Sequence, residues 1–428
     1  MQLVQAPSWG NLPGDSGSLS IDLRSFVGAE NVLIRGMGRS YGDVCTNSTG
    51  KLLATKFLNK FLRFEPETGI LTCEAGVTIS EIQRMFVHRG WMVPVTPGTQ
   101  FVSVGGAIAN DVHGKNHHSM GTFGEHVLSL NLLRTNGELL SCSKQENPEL
   151  FHATIGGLGL TGFIVQATIQ LQSVPGPWLQ TENLIFGDVD EFLAISDDTE
   201  DKWKYSVSWI DCAKASSTRG IFMRGNPVAA ENRKEPQPRN LNFPFTPPIS
   251  VVNKLSVKVF NQAYFKLNAI KKGTRVTHYQ PFFYPLDAIQ NWNRMYGRNG
   301  FYQHQCVVPR VDGEGVLREI LQVIQKSGQG SFLSVLKTFG DREPAGLLSF
   351  TRAGITLALD FPNHGESTLK LLEALDGIVI SAGGAINPSK DARMSRETFE
   401  ASFPRSFEFQ QFRDRGISSD LSKRLMGS

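Results

Sequence analysis

The sequence predicts an α+β protein of two domains followed by a C-terminal segment, and three observations predict it. At 428 residues the chain exceeds what one hydrophobic core usually organises. Short apolar and β-branched runs alternate with short amphipathic stretches, a mixture that excludes an all-helical fold or a sandwich. At Pro175-Gly176-Pro177 the composition changes as it does at a linker. The expected division is residues 1–175, 176–384 and 385–428.

The bulk numbers narrow the function classes. Forty per cent hydrophobic and 19% charged residues are the values of an ordinary globular chain. A net charge of +3 is too small to point to nucleic acid. Five cysteines, Cys45, Cys73, Cys142, Cys212 and Cys306, are odd in number and scattered, which argues against a zinc site or disulfide framework and suits a reducing compartment. The first residues lack the basic and apolar blocks of a signal peptide, and no run of about 18 apolar residues occurs. A cytoplasmic address is expected, with surface attachment left open.

Along the first region, Val32 to Ile34 reads as a strand breaking into a turn with Gly36, Gly38 and Gly42. Successive N–H groups in such a turn form an anion-binding nest. Its spacing, GMGRSYG, is not the GxGxxG of a dinucleotide fingerprint, and alone it is equally a tight turn. The neighbouring Arg35 and Arg39 favour a pyrophosphate site. Leu52–Ala54, Phe61–Phe64 and Ile70–Glu74 read as strands. Thr78 with Glu81 forms a capping box for a helix through His88, stopped by Gly90, with Ile79, Ile82, Met85 and Phe86 as its buried face.

The stretch from Pro94 to Gly124 is dense in glycine, with Gly98, Gly105, Gly106, Gly114, Gly121 and Gly124, and poor in large apolar side chains. It reads as a backbone cradle for a ligand. A hairpin follows at Asn136-Gly137, then a second turn, Gly156 to Gly162, feeding a β-branched strand. The second region alternates strands such as YSVSWID and GFYQHQCVVP with the helical GVLREILQVIQKSG. Within it, Glu235 to Pro248 is a proline-rich loop, followed by an aromatic and basic run to Arg275.

Three segments, IRGMGRSYGD, PGTQFVSVGGAIANDVHGKNHHSMGTFG and GGLGLTGFI, resemble the vanillyl-alcohol-oxidase/PCMH-type FAD-linked oxidases. Within that superfamily, DVHGKNHHSMGTFGEHV, SVSWID, FFYPLD, SFLSVLKTFG, LDFP and SKDAR are similar to the decaprenylphosphoryl-β-D-ribose 2′-oxidases, spanning Ile34 to Arg405. The resemblance implies a PCMH-type FAD-binding domain, an α+β substrate-binding domain, and a C-terminal segment returning to the flavin.

It also implies site residues. Ile34, Arg35, Gly36, Met37, Gly38, Arg39, Ser40, Tyr41, Gly42, Asp43 and Val44 would hold the FAD pyrophosphate. Gly98, Ser103, Val104, Gly105 and Gly106 would line the dinucleotide, and Asn110, Asp111, Val112, His113, Ile164 and Asn387 would complete the flavin contacts. Tyr41 stands where several relatives carry a histidine joined to the flavin, so FAD is expected to be non-covalent. Lys390 and His113 match the residues beside the reacting hydroxyl, either being the expected base. Lys115, Tyr296, Gln303, Gln305, Lys337, Thr356 and Ala358 match the substrate-pocket wall. Thr356 and Ala358 replace the family's asparagine and cysteine, and Asn387 replaces a tyrosine.

Without the resemblance these residues have blander readings. His113 would be a hydrogen-bonded structural histidine and Lys390 a solvated lysine. Gln303 and Gln305, alternating on one strand, would be a polar face. His113, His117 and His118 suggest a metal by spacing, but no carboxylate or cysteine recurs at ligand spacing, so none is expected.

The function implied is FAD-dependent oxidation of a secondary hydroxyl, C2′ of a polyprenyl-phosphate-linked pentose, the first half of an epimerisation that an NAD(P)H-dependent keto-reductase completes. A soluble sugar or aldonolactone oxidase and a non-catalytic binding module are the rival readings. Phe243, Phe245, Phe260, Tyr264 and Phe265, with Lys258, Lys266, Lys271 and Lys272, would form a lip resting on the inner face of the plasma membrane.

Overall fold

In the first half of the chain two sheets arise from the expected short strands. The computed structural model describes residues 4–14, 16–212, 218–230, 233–237, 241–270 and 273–427; Lys271 and Lys272 lie outside them. Val4–Gln5, Ser18–Ser20, Lys51–Ala54 and Val32–Arg35 make a four-stranded sheet in that order. The last of these strands ends where the glycine turn begins, so the turn hangs from a sheet edge. Phe61–Glu65, Ile70–Glu74, Phe163–Gln170, Val127–Leu133 and Leu139–Ser143 form a five-stranded antiparallel sheet. The hairpin between its last two strands turns at Asn136-Gly137, where Gly137 has φ 90°.

The capped helix runs Ile79–Phe86, with the Thr78–Glu81 capping box formed and Gly90 in the left-handed region at φ 83° after a short 3-10 turn, Val87–Arg89. Ile79, Ile82 and Phe86 are buried as expected, whereas Met85 is 42% exposed. Met85 lies at i+6 from Ile79, off the i, i+3, i+7 stripe that faces the sheet.

From Trp178 onward the chain builds an eight-stranded antiparallel sheet. Its order is Gly273–His278, Trp178–Phe186, Gly220–Val228, Tyr205–Ile210, Ser334–Phe339, Gly354–Pro362, Phe301–Val308 and Ala385–Ile386. The helices Gly313–Ser327 and Glu366–Ser381 bury Leu317, Ile320, Ile324, Leu371 and Leu375 against Leu336, Leu357 and Leu359 of the sheet. Strand alternation sends the residues in between to the opposite face. The register sets Gln303 opposite Asp360, Gln305 opposite Ala358, and Lys337 opposite Thr356. That second face is a wall of the site.

The end of the chain ties the two parts together. Ala385–Ile386 adds to the eight-stranded sheet beside Phe301–Val308, and Asn387 N continues the ladder to Gln305 O at 2.9 Å. Further on, Ser418 N donates to Val32 O at 3.0 Å, and Arg424, in the helix Asp420–Leu425, pairs with Asp43 at 2.9 Å. Among the described residues no helix is long and apolar enough to cross a membrane.

Candidate active site

Between the glycine turn and the exposed face of the eight-stranded sheet lies a cavity of about 1010 Å³. That exceeds a typical small-molecule pocket and suits a large cofactor with a second ligand. Its wall takes in Ile34 through Tyr41, Val44, Gly98, Ser103, Gly105, Gly106 and Asn110 through Lys115. Ile164, Gln303, Gln305, Lys337, Thr356, Ala358, Asn387 and Lys390 complete the expected set there.

Four expected contact residues sit behind the wall. Gly42 packs so closely on the C-terminal segment that a Cβ would lie 1.7 Å from Asp391 O. The Asp43 carboxylate is occupied by Arg424, at 2.9 Å to each oxygen. Val104 points into the core beneath its short helix, Val104–Ala109, and is fully buried. The Tyr296 ring is buried and stacked on Phe301, with centroids 4.0 Å apart, because its neighbours are a cluster of aromatics. Arg35 also differs from expectation. Its guanidinium turns away from the cavity and donates to Cys45 O and Pro7 O at 2.6 Å and to Ala6 O at 3.2 Å, bracing the turn. Arg39 is the cation on the cavity side, stacked 4.3 Å over Trp9, with its buried Nε lacking a partner among the described residues.

The cradle fits an anionic dinucleotide. No protein acceptor takes the amides of Gly36 through Tyr41 among the described residues, although buried backbone donors are ordinarily paired. A Cβ on Gly36 would lie 2.4 Å from Ser103 Oγ, so the turn approaches the next cradle segment as only glycine allows. At Gly98 a Cβ would meet nothing within 4 Å, which leaves open space beside the backbone. Asn110 donates from Nδ2 to Gly106 O at 2.9 Å, leaving its buried Oδ1 without a partner among the described residues. Asp111 is held by Ser349 Oγ at 2.6 Å and Gly124 N at 2.9 Å, and burial raises its carboxyl to about 6.

At the other end, three lysines line the wall: Lys115, Lys337 and Lys390. Desolvation lowers Lys115 to about 8 and Lys390 to about 8. Lys337 falls to about 7, from desolvation first and then from the charges of Lys115 and Lys390. Lys390 Nζ stands 4.2 Å over the Tyr41 ring. His113 faces Gln305 Nε2 at 2.9 Å through Nε2 and Lys337 Nζ at 3.1 Å through Nδ1. Desolvation, then the charges of Lys337, His117 and Lys390, hold its pKa well below the usual imidazole range, so the ring is neutral. With both nitrogens engaged, His113 presents no free lone pair to a substrate.

The remaining motif residues divide into structural and cavity roles. His117 is buried against Phe339, centroids 4.5 Å apart, on which His113 also packs at 4.9 Å, while His118 turns away with its Nε2 2.8 Å from Trp203 O. In the SKDAR run only Lys390 reaches the cavity by a long side chain, while Asp391 accepts the Arg393 and Met394 amides at 2.8 Å and Arg393 grips Asp376. Sequence reasoning missed Asp360, which accepts Gln303 Nε2 at 2.6 Å and which burial raises to about 7. Its signal was present: an acid on the cavity-side register of an otherwise apolar strand, GITLALDFP.

The sequence also matches known proteins. The FAD binding domain family matches residues 28–143. Over 93% of the chain and 90% of the other protein, the sequence is 35% identical to decaprenylphosphoryl-beta-D-ribose oxidase of Mycolicibacterium smegmatis. Similarity to the D-arabinono-1,4-lactone oxidase of Yarrowia lipolytica is 32% identity over 34% of this chain and 28% of that one. For the L-gulonolactone oxidase of Bos taurus it is 31% over 35% of this chain and 33% of that one. FAD is the cofactor and the protein is an FAD-dependent alcohol oxidoreductase. The chain belongs to the decaprenylphosphoryl-β-D-ribose oxidase family of FAD-linked oxidases.

Proposed function

We propose that the protein oxidises the C2′ hydroxyl of a polyprenyl-phosphate-linked pentose, such as decaprenylphosphoryl-ribose, to the keto sugar. The observation that carries this reading is the single cavity in which the cradle continues into a wall bearing Lys115, Lys337 and Lys390, none of them in an ion pair among the described residues. Unpaired cations in a low-dielectric wall favour an anionic, hydroxyl-rich ligand. The 35% identity over nearly the whole length of the mycolicibacterial oxidase supports the same substrate class, while the lactone oxidases match only about a third of the chain.

When bound, FAD supplies the acceptor for the carbinol hydride. The protein's own groups do the rest. The nest from Gly36 to Tyr41 and Arg39 would hold the diphosphate, and Gln303 lies on the cavity face within reach of a sugar hydroxyl, while Gln305 on the same face is engaged by Asn387, His113 and Thr356. The three lysines repel one another, so one of them is readily neutral and able to take the hydroxyl proton while the others stay cationic. Lys390, which Asp360 favours in its charged form, is placed to steady the alkoxide.

A place at the inner face of the plasma membrane, and a reductase that returns the keto sugar to the epimeric alcohol, complete the proposal. Support comes from the helix Lys254–Ala269, whose Val257, Phe260 and Tyr264 close part of the cavity. Around it Ile249, Leu255, Val259, Leu267 and Ile270 are 60–80% exposed. Of the expected aromatics Phe245 and Phe260 are exposed with them, whereas Phe265 lies beneath Arg219, 4.2 Å from the guanidinium, and Tyr264 packs on Trp209. Anaerobic mixing of the yellow holoenzyme with lipid-linked ribose should bleach the flavin and yield one keto sugar per flavin, whereas free ribose should not. Bleaching by an aldonolactone and not by the lipid-linked sugar would replace this reading with the lactone-oxidase one. Binding to anionic vesicles should weaken with salt and on neutralising Lys254, Lys258 and Lys266 together. No binding at low salt would remove the membrane lip.

A further inference from the structure

The hydrogen bonds behind Lys337 run in one direction. The Ser389 backbone N–H, which can only donate, meets Asn387 Oδ1 at 3.0 Å, and Ser389 Oγ donates to the same oxygen at 2.8 Å. The Asn387 amide is therefore fixed, with Nδ2 donating to Gln305 Oε1 at 3.0 Å. Gln305 must then turn its Nε2 the other way, to 2.9 Å from His113 Nε2 and 3.3 Å from Thr356 Oγ1. Thr356 gives its own proton to Cys306 O at 2.8 Å, so it accepts from Gln305.

His113 Nε2 consequently accepts and carries no hydrogen. A neutral imidazole keeps one N–H, which lies on Nδ1, 3.1 Å from Lys337 Nζ. An ammonium there would set two donors head to head, whereas an amine offers a lone pair. The Nζ also donates to Gly114 O at 2.9 Å. The titratable groups around Lys337 are His113, His117, Lys115 and Lys390, with no carboxylate in an ion pair to it among the described residues. Desolvation and the two lysine charges, which bring Lys337 to about 7, act in the same direction as the geometry.

We propose that Asn387 is a positioning residue that, through Gln305 and His113, holds Lys337 as a neutral amine, and that Lys337 is the proton acceptor for the substrate hydroxyl. The catalytic half of this rests on the oxidation reading above; the protonation half does not. In the transfer, the Nζ lone pair leaves the His113 N–H for the hydroxyl. The O–H bond breaks, its proton forms the third N–H of Lys337, and the electron pair stays on oxygen. The new ammonium keeps Gly114 O as a partner, and Lys390 remains the cation facing the oxygen.

Asn387→Asp tests the chain of bonds without changing shape. A carboxylate still accepts from Ser389 but cannot donate to Gln305, so Gln305 should flip, turn Oε1 to His113, and move the histidine proton to Nε2. Lys337 can then donate to Nδ1 as an ammonium. Long-range 15N–1H spectra of 15N-histidine-labelled holoenzyme, with His113 assigned by its loss in His113→Asn, should show Nδ1–H in the wild type and Nε2–H in Asn387→Asp. Trace acetylation of Lys337 against pH should give a midpoint well below that of exposed lysines, raised by about one unit or more in the variant. The uncharged Asn387→Leu should raise it less and give a mixed tautomer, separating orientation from added charge. Gln305→Glu carries the same tautomer prediction should Asn387→Asp not fold. Nε2–H in the wild type, Nδ1–H retained in the variant, or Lys337 titrating like an exposed lysine would overturn the protonation claim. If those readouts hold and Lys337→Met still reduces its flavin at the wild-type rate with lipid-linked ribose, the proton-acceptor role falls. Absence of any turnover by the wild type would instead count against the oxidation reading.

Discussion

At one end of the cavity, from Gly36 to Tyr41, the wall is backbone; at the other, from Gln303 to Lys390, it is long polar side chains. The backbone end comes from short consecutive stretches, braced by Arg35 on three carbonyls. The polar end is assembled from Ser334–Phe339, Gly354–Pro362, Phe301–Val308 and the turn after Ala385–Ile386, brought together by sheet register. A binding surface that needs only amides and close approach can be made locally. One that must tune the charge of several side chains needs elements far apart in the chain, because each charge is set by its neighbours.

The comparison predicts that damage at the two ends will look different. The largest effect is expected where they touch. Gly42→Ala would put a Cβ 1.7 Å from Asp391 O, in rigid backbone, and should cost on the order of 3 kcal/mol or more, read as a lowered denaturation midpoint. Tolerance of alanine there would mean that the C-terminal segment is not held against the nest. Next, Lys390→Ala should keep its FAD while anaerobic flavin reduction slows about 10²-fold. Reduction at the wild-type rate would make Lys390 a bystander.

Gly36→Ala should behave oppositely. Its Cβ, 2.4 Å from Ser103 Oγ, pushes the nest from the neighbouring cradle, so FAD should bind roughly 10-fold more weakly while residual holoenzyme turns over normally. Equal loss of turnover per bound flavin would blur the distinction between the ends. Acid precipitation should release the flavin into the supernatant, since Tyr41 offers no imidazole for a covalent link. Colour retained in the pellet would contradict this.

The smallest effect is on stability. Lys337 titrates near 7 in the folded chain, below the 10.5 of an unperturbed lysine, so the unfolded chain binds more protons between those values. Its burden on stability is therefore full below about pH 7 and is relieved as pH rises toward 10.5. Lys337→Met should be about 1 kcal/mol more stable at pH 7 and show a flatter rise with pH. A less stable variant at pH 7 would mean that the ammonium is well solvated.

The same contrast explains what could be read without coordinates. Glycine spacing, the Thr78–Glu81 capping box and the Asn136-Gly137 turn are local, and each reappears as expected. The Lys390 and Gln305 positions were legible only by resemblance, because nothing near them in the chain reveals that His113 and Lys337 will be neighbours. Asp360 was legible in part, as the lone acid of the strand Gly354–Pro362, but its contact with Gln303 was not. Asp43 and Tyr296 sit behind the wall rather than on it, and Arg35 lines it while spending its guanidinium on neighbouring carbonyls, because a motif names residues and not directions. Asp43 is consumed by Arg424, 381 residues away in the chain.

The most direct test of the whole account uses lipid-linked ribose deuterated at C2′ in anaerobic single turnover with the holoenzyme. The account predicts that the flavin bleaches, that deuterium slows the bleaching several-fold, and that the product is the 2′-keto sugar. Bleaching unaffected by C2′ deuterium, or none with this substrate while an aldonolactone bleaches the same preparation, would contradict it.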